Sequence, residues 1–186
     1  MTSSTPRAQS THDSSSCSLI ILRHAKSSWS DPSLRDFERP LNRRGERDAP
    51  YMAQRICHHG LQIDEILCSS SVRTQLTLNR MEPHLRCSPE RVQMLDELYH
   101  ASLSTLITLL QNQRARALML IGHNPGVELL VELLSQGTIT RFPTCAFAVF
   151  SLPFQQWADL TSDPARWTDV QTTCFEFPKM FPHEKR

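Results

Sequence analysis

Two short apolar runs, each ending at a histidine, constrain the fold of this chain most. Leu19–Leu22 is followed directly by Arg23 and His24, and Leu118–Ile121 is followed one residue later by His123. Continuous apolar runs of this length are typical of strands buried on both faces of a parallel sheet. Ligands of such sheets bind just beyond the carboxyl ends of the strands. The sequence therefore predicts that Arg23, His24 and His123 lie at one edge of a sheet.

Helical patterns alternate with further strands along the chain. Asp48 and Pro50 are expected to open a helix that Gly60 ends, because Pro suits a first turn and Gly suits a C-terminal cap. Asn124 is the predicted N-cap of the last helix, with Pro125 at its first position. The other predicted elements are strands over 63–68, 92–95, 145–152 and within 167–177, and helices over 71–81 and from residue 102.

This alternation favours a single α/β domain over residues 18–178. We expect three layers, with a mostly parallel central sheet flanked by helices on both faces. Residues 1–17 are rich in Ser and Thr and are predicted to form a disordered tail, and residues 179–186 are predicted to be frayed.

Composition narrows the possible partners and the compartment. The 186-residue chain has a net charge of +1, which gives no global field favouring nucleic acid or an anionic membrane. No apolar run approaches the roughly 18 residues of a membrane span, and no secretory signal is present. The six cysteines follow no disulfide or zinc spacing. We therefore expect a reduced, cytoplasmic protein that binds neither nucleic acid nor membrane.

Two arginines are predicted to join the histidines at the sheet edge. Arg73 falls in the first turn of the helix that follows the second strand, and Arg39 lies in the long polar connection over 26–43. Loops of that length are usually functional or disordered, and Arg39 could fold over the site. Neutral imidazoles are nucleophiles, and guanidinium groups bind phosphate through paired hydrogen bonds. The set therefore favours phosphoryl chemistry.

Other chemistries fit the sequence less well. Cys68 and Arg73 suggest the loop of a cysteine phosphatase, but four residues separate them where that loop needs five. Cys57 with His58 and His59 could be metal ligands, yet adjacent helical positions point about 100° apart, which favours a solvated face.

Four segments together resemble the histidine phosphatase superfamily, and in particular its branch of small SixA-type phosphohistidine phosphatases, which have a phosphoglycerate mutase-like fold. The superfamily signature Arg-His-Gly reads Arg-His-Ala here, with Ala25 in place of the glycine. The matching segments, in order, are Leu22–Ser27, Arg39–Asn42, Ser69–Thr74 and Gly122–Gly126.

The resemblance implies a role for each residue. His24 would attack phosphorus and carry the phosphoryl group, while Arg23 and Arg73 would bind its equatorial oxygens, with Arg39 closing from the loop. His123 would donate to a phosphate oxygen, most usefully as a cation, although the neighbouring helix N-terminus should lower its pKa.

Two further groups complete the expected site. The helix capped by Asn124 would add its N-terminal dipole to anion binding. Glu97, in the loop after the third strand, is the candidate general acid that larger members of the superfamily use. No metal or cofactor is expected, because the guanidinium groups replace a metal ion.

The resemblance thus implies a cofactor-independent phosphatase whose substrate is protein phosphohistidine, of the histidine phosphotransfer type. A phosphomonoesterase acting on small metabolites is the alternative within enzymes, and a mutase is disfavoured because it needs a closed pocket. A phosphoprotein-binding module without turnover would need the arginines but not the nucleophile.

Overall fold

The computed structural model describes residues 16–161, 163 and 169–180, in which a central sheet is flanked by helices. The strands are β1 (Ser18–Arg23), β2 (Glu65–Ser69), β3 (Val92–Leu95), β4 (Ala117–Gly122), β5 (Phe147–Ser151) and β6 (Gln171–Glu176). The α-helices are α1 (Arg43–His58), α2 (Val72–Met81), α3 (Leu103–Gln111) and α4 (Gly126–Leu134).

The sheet has the strand order β3-β2-β4-β1-β5-β6. Strands β3, β2, β4 and β1 pair in parallel, whereas β5 is antiparallel to both of its neighbours. The predicted edge strand within 167–177 corresponds to β6. The mostly parallel sheet is confirmed.

Two apolar cores cover the two faces of the sheet. Alternate side chains of β1 and β4, such as Leu19 and Leu118, pack with the apolar faces of α3 and α4. The intervening side chains, such as Ile20 and Met119, pack with α1 and α2. Because successive side chains of a strand point to opposite faces, an uninterrupted apolar run supplies both cores. The predicted three layers are confirmed.

Helix α1 begins earlier than the sequence predicts. Its N-cap is Asn42, whose side-chain oxygen accepts a hydrogen bond from the Gly45 backbone N–H at 2.9 Å, and not Asp48. Asp48 is buried inside the helix, and Pro50 also lies within it. The helix continues through Pro50 because its buried apolar face spans both sides of the proline, and that burial outweighs one missing hydrogen bond. Gly60, at φ 67°, follows the helix end as predicted.

Asn124 does not cap α4, which begins at Gly126. Its side-chain amide donates to the Glu128 carboxylate at 2.9 Å and to the Phe142 carbonyl at 3.1 Å. These contacts turn the side chain towards the loop before β5 and away from the first helical N–H groups, which explains why the predicted cap is wrong.

The ends of the described chain extend slightly beyond the predicted domain. Cys17, placed in the tail by the sequence, is buried, and its N–H donates to the Phe154 carbonyl at 2.9 Å. Residues 178–180 form a 3-10 turn. The remainder of both predicted terminal segments, 1–15 and 181–186, lies outside the described residues. Within the described chain, no helix is both long and apolar enough to cross a bilayer.

Candidate active site

The pairing of β1 with β4 brings the two predicted histidines together. In this parallel pair Arg23 is in register with Gly122, and the His24 N–H donates to the Gly122 carbonyl at 3.1 Å. The ring centroids of His24 and His123 are 5.0 Å apart. Both rings are buried. The two strand ends therefore form one site.

No hydrogen bond from the described residues reaches one ring nitrogen of His24, Nε2. Its Nδ1 lies 2.7 Å from the Ala25 carbonyl oxygen, which can only accept, so Nδ1 carries the proton. Burial, together with the positive charges of Arg73 and Arg23, lowers the pKa of His24 to about 3, although the hydrogen bond to Ala25 opposes this shift. At neutral pH the ring is uncharged, and Nε2 is available as a nucleophile.

The segment after His24 is held by α1 and α2. The Ala25 N–H donates to the Thr77 hydroxyl at 3.0 Å, and Thr77 is buried in α2. Gly45 of α1 packs directly on the Lys26 backbone, where an added Cβ would lie 2.3 Å from the Lys26 oxygen. These two contacts fix the backbone on which the His24 ring is mounted.

His123 is neutral in this arrangement. Arg73 Nη2 lies 3.3 Å from His123 Nδ1, and since a guanidinium only donates, Nδ1 must accept. Nε2 then carries the proton and donates to the Ser69 hydroxyl at 2.9 Å. Burial is the main cause that lowers the pKa of His123 to about 2, with His24 and Arg73 adding to it. The sequence left the charge of His123 open between a useful cation and a pKa lowered by the helix N-terminus, and the free site holds the neutral form.

Arg73 is paired with a carboxylate that the sequence reasoning missed. Its Nη2 lies 2.8 Å from Asp36 Oδ2, and its Nη1 donates to the Asp36 carbonyl. The Tyr99 hydroxyl donates to the same Oδ2 at 2.7 Å. Partial burial alone would raise the pKa of Asp36, but the hydrogen bonds from Tyr99 and Arg73 lower it below its ordinary value. The Asp36 carboxylate, which belongs to the polar loop over 26–43, is therefore an anion already bound to Arg73.

Arg23 and Arg39 each have a buried guanidinium N–H that lacks an acceptor among the described residues. Arg23 Nη1 donates to the Phe142 carbonyl at 2.9 Å, and the Arg39 guanidinium carbon lies 4.1 Å from the centroid of the Trp29 ring. Within the described part of the chain, the Nε atoms of Arg23 and Arg39 are buried and have no hydrogen-bond partner. Such donors are costly unless an acceptor meets them, and phosphate oxygens are suitable acceptors. No contact within the described residues joins Arg39 to His24, Arg73 or His123.

Glu97 lies outside the cluster. It occupies a 3-10 turn over Asp96–Leu98, is exposed, and borders a surface cavity of about 390 Å³ together with Ser104 and Thr108. Leu98 is buried in the core, which turns the preceding side chain outwards. Among the described residues no hydrogen bond, ion pair or ring contact joins Glu97 to either histidine. The general-acid role predicted for Glu97 has no support in this geometry.

The alternative chemistries also find little support. Burial raises the pKa of Cys68 to about 12, so this thiol is protonated and unsuited to act as a nucleophile. His59 contacts Glu176, with 2.8 Å between His59 Nε2 and Glu176 Oε1, and its ring meets that of His58 edge to face at 6.2 Å. Arg55 binds both oxygens of that carboxylate at 2.8 Å. This cluster links α1 to β6.

Fold and site together define an α/β domain in which a buried neutral histidine lies among arginines at the carboxyl ends of two parallel strands. The model of the histidine phosphatase superfamily (branch 1) matches residues 19–127, more than half of the chain. The chain therefore belongs to the histidine phosphatase superfamily. Its phosphoglycerate mutase-like fold and SixA-type branch, expected from the resemblance, are confirmed by the relatives below.

Relatives in sequence and structure agree with this assignment. An uncharacterized chloroplastic protein of Arabidopsis thaliana is 33% identical over 161 residues, which cover 80% of this chain and 73% of the relative. A protein of Agrobacterium tumefaciens assigned as phosphohistidine phosphatase SixA superposes with a TM-score of 0.72 at 26% identity, covering 88% of this chain and 99% of its own. A SixA-type structure from Nakamurella multipartitia has a TM-score of 0.73 at 24% identity, with 88% and 96% covered.

Proposed function

We propose that the chain is a phosphatase that forms a covalent phosphohistidine on His24, and that its substrate is a phosphorylated histidine of another protein, of the histidine phosphotransfer type. The observation that carries the proposal is the neutral His24 ring, with Nδ1 bonded to Ala25 and the Nε2 lone pair free, between Arg23 and Arg73. The relative assigned as a phosphohistidine phosphatase supports the same substrate class.

The residues suggest the following sequence of events. The phosphoryl group enters beside Arg23 and Arg73, and its oxygens compete with the Asp36 carboxylate for the Arg73 guanidinium. His24 Nε2 attacks phosphorus, and the substrate's imidazole leaves. The neutral His123 donates from Nε2, and its position between Ser69 and Arg73 allows that donor to turn to a phosphate oxygen. Water then releases phosphate and restores the neutral His24. Arg39, held over Trp29, closes on the anion from the loop.

The exposure gradient of the site supports a protein substrate. His24 and His123 are 7% and 2% exposed, whereas the Asp36 and His100 side chains on the outer side are 40% and 53% exposed. A group that protrudes from a protein surface can reach such an opening, and its leaving group remains outside. Small phosphomonoesters are the second candidate substrate class. A binding module would not need a neutral nucleophile beside the arginines.

The test is release of inorganic phosphate from a phosphorylated histidine phosphotransfer domain, measured beside a panel of small phosphomonoesters. We expect turnover of the phosphoprotein by the wild type, a loss of at least about 1000-fold in His24→Ala, and no change in His58→Ala, a matched exposed histidine at the end of α1. An acid-labile phosphoenzyme should be trapped in the wild type and in His58→Ala, but not in His24→Ala. A chelator should leave the rate unchanged, because arginines neutralise the phosphate.

Other outcomes of this assay would change the substrate class or refute the covalent mechanism. Preference for a small ester would move the assignment to a metabolite phosphatase. Phosphate release that survives His24→Ala would refute the covalent mechanism. The expected cytoplasmic location stays a prediction, consistent with six free cysteines.

A further inference from the structure

His100 lies at the outer edge of the site, next to both charged groups of the Arg73–Asp36 pair. Its Nε2 is 3.4 Å from Arg73 Nη2 and 3.5 Å from Asp36 Oδ2. Its ring stacks on Tyr99 at 4.3 Å and lies 5.5 Å from the His123 ring. The side chain is 53% exposed. His100 is thus an imidazole that lies beside Arg73 and Asp36 and also faces solvent.

The backbone holds His100 in an uncommon conformation. Its φ is 51°, in the left-handed region that non-glycine residues rarely occupy. The next residue is fixed from the other side, because Gly126 of α4 packs on the Ala101 carbonyl, where an added Cβ would lie 2.0 Å from the oxygen. Ser102 then caps α3 through the Thr105 N–H. Strained residues of this kind persist where the surrounding structure determines them, and they cluster at functional sites.

In an in-line displacement at this site, His100 would lie on the side from which the leaving group departs. The nucleophile His24 lies at the buried end of the site, so the leaving group departs towards the exposed end. Arg73 contacts His123 on its inner side and His100 on its outer side. A phosphoryl group held by Arg73 therefore has His24 on its buried side and His100 on the side where the leaving group emerges.

We infer that His100 is the general acid–base residue of the reaction, in place of Glu97. This inference rests on the proposed function. In the first step the bond between phosphorus and His24 Nε2 forms, the bond to the leaving group breaks, and His100 gives its proton to the departing oxygen or nitrogen. In the second step water attacks phosphorus, its proton passes to the neutral His100, and the bond to His24 breaks. Both protons are accounted for.

Asp36 acts as a positioning residue for this acid. Its carboxylate is the negative group facing His100, while Arg73 is the positive one, and Tyr99 and His123 are the aromatic rings packed around it. The carboxylate lies 3.5 Å from His100 Nε2 and keeps the ring beside Arg73, at the exposed end of the site. His100 further broadens the substrate range, because an acid matters most for leaving groups that are poor.

The experiment compares His100→Gln with the wild type on substrates that differ in their need for acid. For alkyl phosphates, whose alkoxide leaves poorly, we expect kcat/KM to fall by about 100-fold or more. For p-nitrophenyl phosphate, whose phenolate leaves unaided, we expect a change below about 3-fold. The decline of kcat/KM on alkyl phosphates at alkaline pH should disappear in the variant. His58→Gln is the control for loss of an exposed histidine.

The outcomes separate this inference from the proposed function. Equal losses on both substrate types would overturn the acid role of His100 while leaving phosphatase activity intact. A selective loss in Glu97→Gln instead would return the role to that residue. Absence of phosphate release by the wild type from the phosphorylated histidine phosphotransfer domain would refute the proposed function itself. Circular dichroism and a second variant, His100→Asn, exclude misfolding as the cause of a loss.

Discussion

Acid should destabilise this protein through its two buried histidines. Burial and neighbouring positive charge lower the pKa of His24 to about 3 and that of His123 to about 2. In the unfolded chain both rings have the ordinary value of about 6.5. Above a pH of about 6.5 both states are neutral at these rings and stability is unaffected. As the pH falls below that value only the unfolded state binds protons, so the free energy of unfolding decreases.

The size of the effect follows from the same values. At a pH of about 5 the unfolded chain holds nearly one proton on each ring, and the native site holds almost none. Each histidine therefore removes about 2 kcal/mol of stability, and the pair about 4 kcal/mol. Because both native values lie well below 5, this figure depends mainly on the ordinary pKa. It is a large part of the roughly 5–15 kcal/mol that stabilises a typical domain.

The assay is urea unfolding at a pH of about 8 and of about 5, with the difference in unfolding free energy taken within each variant. His24→Gln and His123→Gln should each reduce the wild-type difference by about 2 kcal/mol, whatever their own stability. His58→Gln, an exposed histidine, should keep all of it. If His24→Gln kept the full pH dependence, its ring would not be held neutral in the native state, and the argument for its nucleophilicity would fail.

Two further substitutions test how the nucleophile is held. Gly45→Ala places a Cβ 2.3 Å from the Lys26 oxygen. We expect this overpacking to outweigh the gain in helix propensity, with a net loss of about 1–2 kcal/mol in unfolding free energy and a lower Tm. The control, Gln54→Ala on the exposed face of α1, should leave stability nearly unchanged. Thr77→Val leaves the buried Ala25 N–H without its acceptor, which should cost about 1–3 kcal/mol in urea unfolding and lower kcat. Wild-type stability in either variant would contradict the packing described.

The sequence predicts the sheet and the convergence of the histidines because these depend on local patterns. An apolar run of four residues determines a doubly buried strand, and the carboxyl ends of parallel neighbours must meet. The limits of α1 depend instead on competition between possible caps. Asp48 and Asn42 are both suitable N-cap types, and the choice was made by the packing of Gly45 on Lys26, which is a tertiary contact.

The outer half of the site could not be predicted in the same way. Asp36 meets Tyr99 across a separation of 63 residues, and neither residue lies in a periodic segment. Their contact depends on how a long polar loop folds across the site. The left-handed backbone of His100 likewise has no signal in its residue type. Glu97 was the more obvious acid by its chemistry, and only the burial of Leu98 shows that its side chain faces away.

On the proposed mechanism, the same positive charges serve both halves of the chemistry at His24. Arg23 and Arg73 would attract a phosphate dianion, and they add to burial, the main cause, in disfavouring protonation of the His24 imidazole. An imidazolium could not attack phosphorus, so the groups proposed to bind the substrate would also help to keep the nucleophile active. In the proposed phosphoenzyme, the phosphoryl group on His24 would be a new anion beside these arginines. The arginines would stabilise this intermediate, while the neutral His123 would add a hydrogen bond without adding a charge that holds phosphate in the site. Release of phosphate is easier from such a site than from one with a further fixed cation.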